Sequence, residues 1–299
     1  MANAGKNSGA GKWIVGLDLG ARSVGAIRFA KWLAENGGDQ LVAVHVLEEA
    51  HLQAALRYHH LSELESAAVA GAKAAITAAG ADGNFQLIDV LEGRTAEESL
   101  AAAAAFRRAD GIVIGRNAPR DGVSLVRLGR VARKVLRKLP TSVAVVPPDF
   151  DPAASGRGPV LLACSLDDDM ATATAFARGF AERFGRAIEL VYVVASPDDH
   201  AAQYVPSATL AKLRIDAATE SEAQLAEWAT ANGLESAARV VKLGRTVEQI
   251  AGHARARDAA VIVTGSRRLS GFERLLLASA GSELAAHATC PVIVVPPVG

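Results

Sequence analysis

Aromatic residues are scarce in this chain, with three Trp, three Tyr and eight Phe among 299 residues. Cysteine is scarcer, present only as Cys164 and Cys290, each set in an apolar run. That usage points away from a disulfide framework or a metal pair and toward buried free thiols in a reducing compartment. Charge of one sign is not in excess: 32 Lys and Arg balance 32 Asp and Glu, which removes any global attraction to nucleic acid or anionic lipid. No apolar run reaches the roughly 18 residues of a membrane span, and the opening MANAGKNSGAGK lacks the apolar centre of a secretory signal. Nucleophile elbow, Walker A lysine motif and HExxH are all missing. The expectation from these absences is a soluble, cytoplasmic, non-enzymatic protein with neither membrane nor nucleic acid as partner.

What is present is a duplication. DGIVIGR at 110–116 returns as AAVIVTGSR at 259–267, SVAVVPP at 142–148 as PVIVVPP at 291–297, and GRTAEE at 93–98 as GRTVEQ at 244–249. Pairing Gly93 with Gly244, Gly115 with Gly265 and Val143 with Val292 gives offsets of 151, 150 and 149. Such drift is what small loop insertions produce in a duplicated domain, since solenoid units recur at about 20–50 residues. With half of its residues hydrophobic, a chain of this length can bury two ordinary cores.

Each copy alternates short β-branched runs with Ala-rich amphipathic stretches, which predicts βαβ units. Strands are expected near 13–18, 41–47, 86–91, 111–115 and 142–146, and again near 159–165, 187–194, 237–242, 260–264 and 291–295. Helices are expected over 24–36, 61–79, 95–108 and 128–138. The runs are mostly Val, Ile and Leu without alternation, as in strands covered on both faces. The fold class is therefore α/β: two doubly wound, Rossmann-like domains, each a five-stranded parallel sheet with helices on both faces. Domain one spans 11–148, the Pro- and Gly-rich DFDPAASGRG at 149–158 is the linker, and domain two spans 159–298. Residues 1–10 are expected to be disordered. Ligands on doubly wound sheets bind outside the carboxyl ends of the strands where strand order reverses. That places the loops after strands one and four of each copy at the centre of any site.

Across both copies the pattern resembles the universal stress protein family as a tandem two-domain member, with its adenine nucleotide alpha hydrolase-like fold. Nucleotide-binding members carry Gly-x2-Gly-x9-Gly-Ser after strand four, where glycines let backbone amides approach phosphate beside a helix N-terminus. An Asp ending strand one accompanies it. Here Gly265 and Ser279 fill the first and last positions in the second copy, but Arg268 and Ala278 replace the other glycines and Ser165 replaces the Asp. In the first copy Asp18, Gly115 and Gly129 match, Ala118 and Arg130 depart, and the spacing from 118 to 129 is one residue too long. The resemblance implies cofactor-binding positions at Asp18, Val46, Gly115, Arg116, Gly129, Arg130 and Val131, and at Ser165, Val193, Gly265, Ser266, Arg267, Ser279 and Ala280. The cofactor implied is ATP or AMP, with Mg²⁺ accompanying it. The resemblance also implies that the last strands pair between domains in an intrachain pseudo-dimer, on which a homodimer of whole chains can be built.

Three functional readings stay open: a nucleotide-gated sensor or regulator, an interaction module with a degenerate cleft plugged by Arg130 and Arg268, and a slow Mg²⁺-dependent ATPase relying on Asp167, Asp168 and Asp169. The bland reading of those carboxylates is that they cap the following helix. The basic run Arg127, Arg130, Arg133, Lys134, Arg137, Lys138 reads either as a phosphate patch or as a solvated helix face. The second is preferred because no aromatic residues are interleaved for base stacking. His51, His59 and His60 follow strand two without the ligand spacing of a zinc site, and His45 reads as part of the strand end.

Overall fold

The structure is a computed structural model that describes residues 9–20, 22–117, 128–166, 170–194, 204–266 and 280–297. In the first half the chain runs β1 (Lys12–Leu17), α1 (Ser23–Gly37), β2 (Gln40–Glu48), α2 (Glu49–Ala55), α3 (Leu61–Ala78), β3 (Phe85–Gly93), α4 (Ala96–Arg107), β4 (Gly111–Gly115), α5 (Arg130–Lys138) and β5 (Ser142–Val146). The second half continues with β6 (Val160–Cys164), α6 (Ala171–Arg183), β7 (Ile188–Val194), α7 (Ser207–Ala231), β8 (Ala238–Leu243), α8 (Thr246–Ala256), β9 (Val261–Gly265), α9 (Ala280–His287) and β10 (Val292–Val295). Each strand lies within a residue or two of its expected position.

The strands form one ten-stranded sheet in the order β3-β2-β1-β4-β5-β10-β9-β6-β7-β8. Within each half all pairings are parallel, and β1 lies between β2 and β4 as β6 lies between β7 and β9. Strand order therefore reverses beside β1 and beside β6, which opens a crevice at each carboxyl edge. The halves join by antiparallel pairing of β5 with β10, with Val145 opposite Val292 and Val143 opposite Val294.

Alternate strand residues face opposite helical layers. Trp13, Val15 and Leu162 pack with α1, α3, α6 and α7, whereas Ile14, Ile112 and Ile262 pack with α4, α5, α8 and α9. Both cores run unbroken across the junction, which is why the strands carry no polar face. Cys164 and Cys290 are buried free thiols, their pKa values pushed up to about 12 by burial.

The few aromatic residues are concentrated where the halves meet. Trp32 of α1 stacks on Phe184 just past α6 at 4.5 Å between centroids, and Phe180 lies 4.4 Å from Phe184. Phe150, between β5 and β6, meets Phe29 edge-on at 5.9 Å. Beside them the buried Asp39 carboxylate accepts the Gly11 N–H at 2.6 Å and the Trp13 indole N–H at 3.0 Å, and pairs with Arg183 of the other half at 3.1 Å. Burial raises the Asp39 pKa against the pull of Arg183. The segment after β5 is anchored too, since Asp258 accepts the N–H groups of Gly156 and Arg157. Among the described residues no helix is long and apolar enough to cross a membrane.

Candidate functional site

Strand β1 ends in a tight, self-bonded loop. The Asp18 carboxylate accepts the Ser23 hydroxyl at 2.7 Å and the Gly20 N–H at 3.0 Å, while the Ser23 Oγ accepts the Asp18 N–H at 2.9 Å. Arg22 adds an ion pair to Asp18 at 2.7 Å. Between them Leu19 sits at φ 59°, and Leu166 holds φ 59° at the matching place after β6. A left-handed leucine costs roughly 1–2 kcal/mol, so the same backbone strain at one residue recurs after β1 and after β6.

Gly115 ends β4 directly beside this loop. A Cβ there would lie 2.2 Å from the Arg22 carbonyl oxygen, so this glycine is required by the approach of the β1 loop whether or not a ligand binds. Gly129 differs: its φ is −58°, and a Cβ would meet only the Asn117 side chain at 3.1 Å. Asn117 in turn accepts a hydrogen bond from the Arg22 guanidinium at 3.1 Å. Asp18, Arg22, Asn117 and Gly129 thus converge on one spot at the reversal point. Val46 lies one residue past the end of the β1–β2 register, which closes with Leu17 opposite His45. His45 is the strand-end residue its sequence context suggested, its Nδ1 lying 2.9 Å from the Leu17 carbonyl oxygen.

Two arginines expected at the cofactor are engaged elsewhere. Arg116 is buried, and its guanidinium reaches across the junction to donate to the Ala286 carbonyl at the end of α9, with its Nε left without a partner. Burial lowers its pKa, opposed by Asp149. The reason is topological: a long side chain leaving β4 meets the neighbouring half before it meets the crevice. Arg130 pairs with Glu48 at the end of β2, and Glu48 also accepts the Ala96 N–H at 2.9 Å. Burial opposes ionisation of Glu48, yet Ala96 and Arg130 outweigh it and hold the carboxyl below its ordinary range.

Two lysines of α5 are likewise paired. Lys134 pairs with Glu97 at 2.6 Å and Lys138 with Glu98 at 3.1 Å, both on α4. Arg133, Arg137 and Lys138 of the same run are exposed, as a solvated helix face requires. Val131 is partly buried against the same core. His51 and His59 lie 3.6 and 3.7 Å from Glu48 and Glu63, and His60 joins Glu63 in capping α3.

In the second half Ser165 follows β6, and Val193 again lies one residue past the β6–β7 register, which closes with Cys164 opposite Tyr192. Gly265 ends β9, and the Ser266 N–H donates to the Val295 carbonyl as Arg116 does to Val146. Ala280 opens α9 and is exposed. With Arg245, Glu248, Arg255, Glu283 and His287 it borders a groove of about 790 Å³ between α8 and α9. The residues Arg267, Arg268, Ala278 and Ser279, the carboxylates Asp167–Asp169, and Ala118, Arg127 and residues 1–8 lie outside the described residues. Among the described residues no three His, Cys, Asp or Glu gather as a metal-binding group.

Sequence reasoning missed Arg22, Asn117 and Glu48. The Asp18–Arg22 spacing of four residues was the one local signal for the first; the other two act only through tertiary neighbours.

The family model described as universal stress protein family matches residues 11–147 and 156–296. No curated protein matches the chain. Among solved structures, a universal stress protein from Archaeoglobus fulgidus superposes with TM-score 0.63 at 17% identity, covering 95% of this chain and 98% of its own. A functionally unknown protein from Pseudomonas aeruginosa also gives TM-score 0.63, at 13% identity, with 96% and 93% covered. A universal stress protein in complex with cAMP aligns over 48% of this chain and all of its own, at 24% identity and TM-score 0.33.

Proposed function

Since this chain belongs to the universal stress protein family, we propose that it is a non-enzymatic regulator whose first half holds an adenine nucleotide, ATP or AMP, with or without Mg²⁺. The observation that carries the reading is the convergence of Asp18, Asn117 and Gly129 from the loops after β1 and β4, with Val46 beside them at the end of β2. The base and ribose would lie against Asp18 and Val46, and the phosphates against Gly129 and the start of α5. Ser165, Val193, Gly265, Ser266, Arg267, Ser279 and Ala280 are the matching proposal for the second half. Occupancy would change the surface that this edge offers to a partner protein.

Domain boundaries at 11–148 and 159–298 belong to the same proposal, with 149–158 as linker. Antiparallel pairing of β5 with β10 supports an intrachain pseudo-dimer, on which a homodimer of whole chains would be built. A second reading, an interaction module with a closed cleft, is favoured by the pairing of Arg130 with Glu48 and of Arg22 with Asp18. The ATPase reading rests on Asp167–Asp169, which lie outside the described residues.

Calorimetric titration of nucleotide-stripped protein with ATP, AMP and cAMP, with and without Mg²⁺, tests the choice. Binding that is lost in Gly129→Trp and kept in Gly265→Trp is the expected result. No saturable heat at millimolar ATP overturns the nucleotide reading and leaves the interaction module.

A further inference from the structure

Two arginine bridges cross the carboxyl edge of the first half, and they differ from the other ion pairs nearby in how easily they can open. The Arg22 and Asp18 side chains are 57% and 37% exposed, so that pair lies in the solvent-screened regime where net stabilisation is small; Arg130 is 50% exposed and its partner Glu48 11%. Their acceptors keep other partners when the arginine leaves. Asp18 retains the Ser23 hydroxyl and the Gly20 N–H, and Glu48 retains the Ala96 N–H. Opening either bridge therefore strands no buried charge. Lys134–Glu97 is the contrast: the Glu97 side chain is 5% exposed and its second oxygen already lacks a partner, so loss of Lys134 leaves a buried carboxylate unpaired.

Resting on the nucleotide reading above, we infer that these two bridges are a gate, and that the first-half cleft admits a ligand with at least two phosphate groups that takes Arg22 from Asp18 and Asn117, and Arg130 from Glu48. The two guanidinium groups start from different elements, the head of α1 and the head of α5, and both flank Gly129 through Asn117 and through chain adjacency. A single phosphate can satisfy one of them; a polyphosphate can satisfy both, each by a charge-assisted bond of the same kind as the one it replaces. The gate discriminates by phosphate number because each opened bridge unpairs a carboxylate, Asp18 or Glu48, and a ligand offsets both openings only with a phosphate for each arginine.

The test compares inorganic triphosphate, ATP and AMP on wild type, Glu48→Gln, Arg130→Gln and the double variant. Glutamine still accepts the Ala96 N–H, and thermal melting of each variant checks that it remains folded. Glu48→Gln is expected to tighten triphosphate and ATP by about five- to tenfold, to change AMP less, and to lose that gain in the Arg130→Gln background. A gain that survives in the double variant means simple relief of repulsion, and the gate is wrong. ATP binding in wild type that Glu48→Gln leaves unchanged also overturns the gate while the nucleotide reading stands. Absence of triphosphate and ATP binding in both wild type and Glu48→Gln overturns the gate and the nucleotide reading together.

Discussion

The two halves share their buried faces and differ in what lies between their outer helices. Aligning the copies on Val143 and Val292 matches Ala132, Val135, Leu136 and Leu139 of the first half with Gly281, Leu284, Ala285 and Ala288 of the second, and all eight are buried. On the opposite face of the same helices the charges diverge. Lys134 corresponds to Glu283 and Lys138 to His287, while Glu97 corresponds to Glu248 and Glu98 to Gln249. In the first half lysine meets glutamate across the two helices. In the second, Glu283 and Glu248 both border the open groove. A duplicated domain must keep its apolar face because each buried side chain contributes kilocalories. Its exposed charges are worth a few tenths and are free to drift.

The largest effects should fall where the halves agree. Leu284→Ala is expected to cost about 2–4 kcal/mol and Val135→Ala about 1–3 kcal/mol in urea unfolding; a cost below half a kilocalorie at either site would break the equivalence of the two cores. Next comes the charge swap that gives the first half the pattern of the second. Lys134→Glu leaves Glu97 buried and unpaired beside a new carboxylate, with an expected loss of about 2–3 kcal/mol.

Acidification sharpens the same contrast. Burial pushes Glu97 up, but the Lys134 ammonium outweighs it and holds the carboxyl below its ordinary range. A depressed folded-state pKa gives stability that is present above the unfolded value and lost as pH falls through the folded one. Asp39, raised by burial, works in the opposite direction, its protonated form favouring the folded state as pH falls. Lys134→Gln removes the ammonium that lowers Glu97 while burial, which raises it, remains, so the loss of stability between neutral pH and the acid end of the carboxylate range should be smaller than in wild type. Chemical denaturation at a series of pH values measures it, and an unchanged pH dependence would remove Glu97 from the account. The smallest effect belongs to the reciprocal swap: Glu283→Lys should shift stability by no more than about 0.5 kcal/mol, because both partners on that groove are solvated.

Strands and helices were legible in the sequence because each is encoded by its own residues. Unbroken Val, Ile and Leu runs specify strands covered on both sides, and Gly115 and Gly265 mark the ends of β4 and β9 in both copies. Much of the candidate site was legible for the same reason, since Asp18, Val46 and Gly129 take their places from the ends of the elements that carry them. The long polar side chains were not legible. Arg116 reads as a cation in a phosphate loop but is buried in the junction against Ala286, and Arg130 reads as a substituted serine but is held by Glu48, 82 residues away.

By itself the sequence determined the duplication, the ten strands and the crevices at the two reversal points, because periodicity and strand order are properties of local pattern and short connections. Only the tertiary structure decided that aromatics knit α1 to α6, that Asp39 and Arg183 join the halves, and that Arg130 pairs with Glu48 while a groove stays open between the outer helices of the second half. A flexible charged side chain goes to whichever partner the fold brings within reach, and that partner lies far away in the chain.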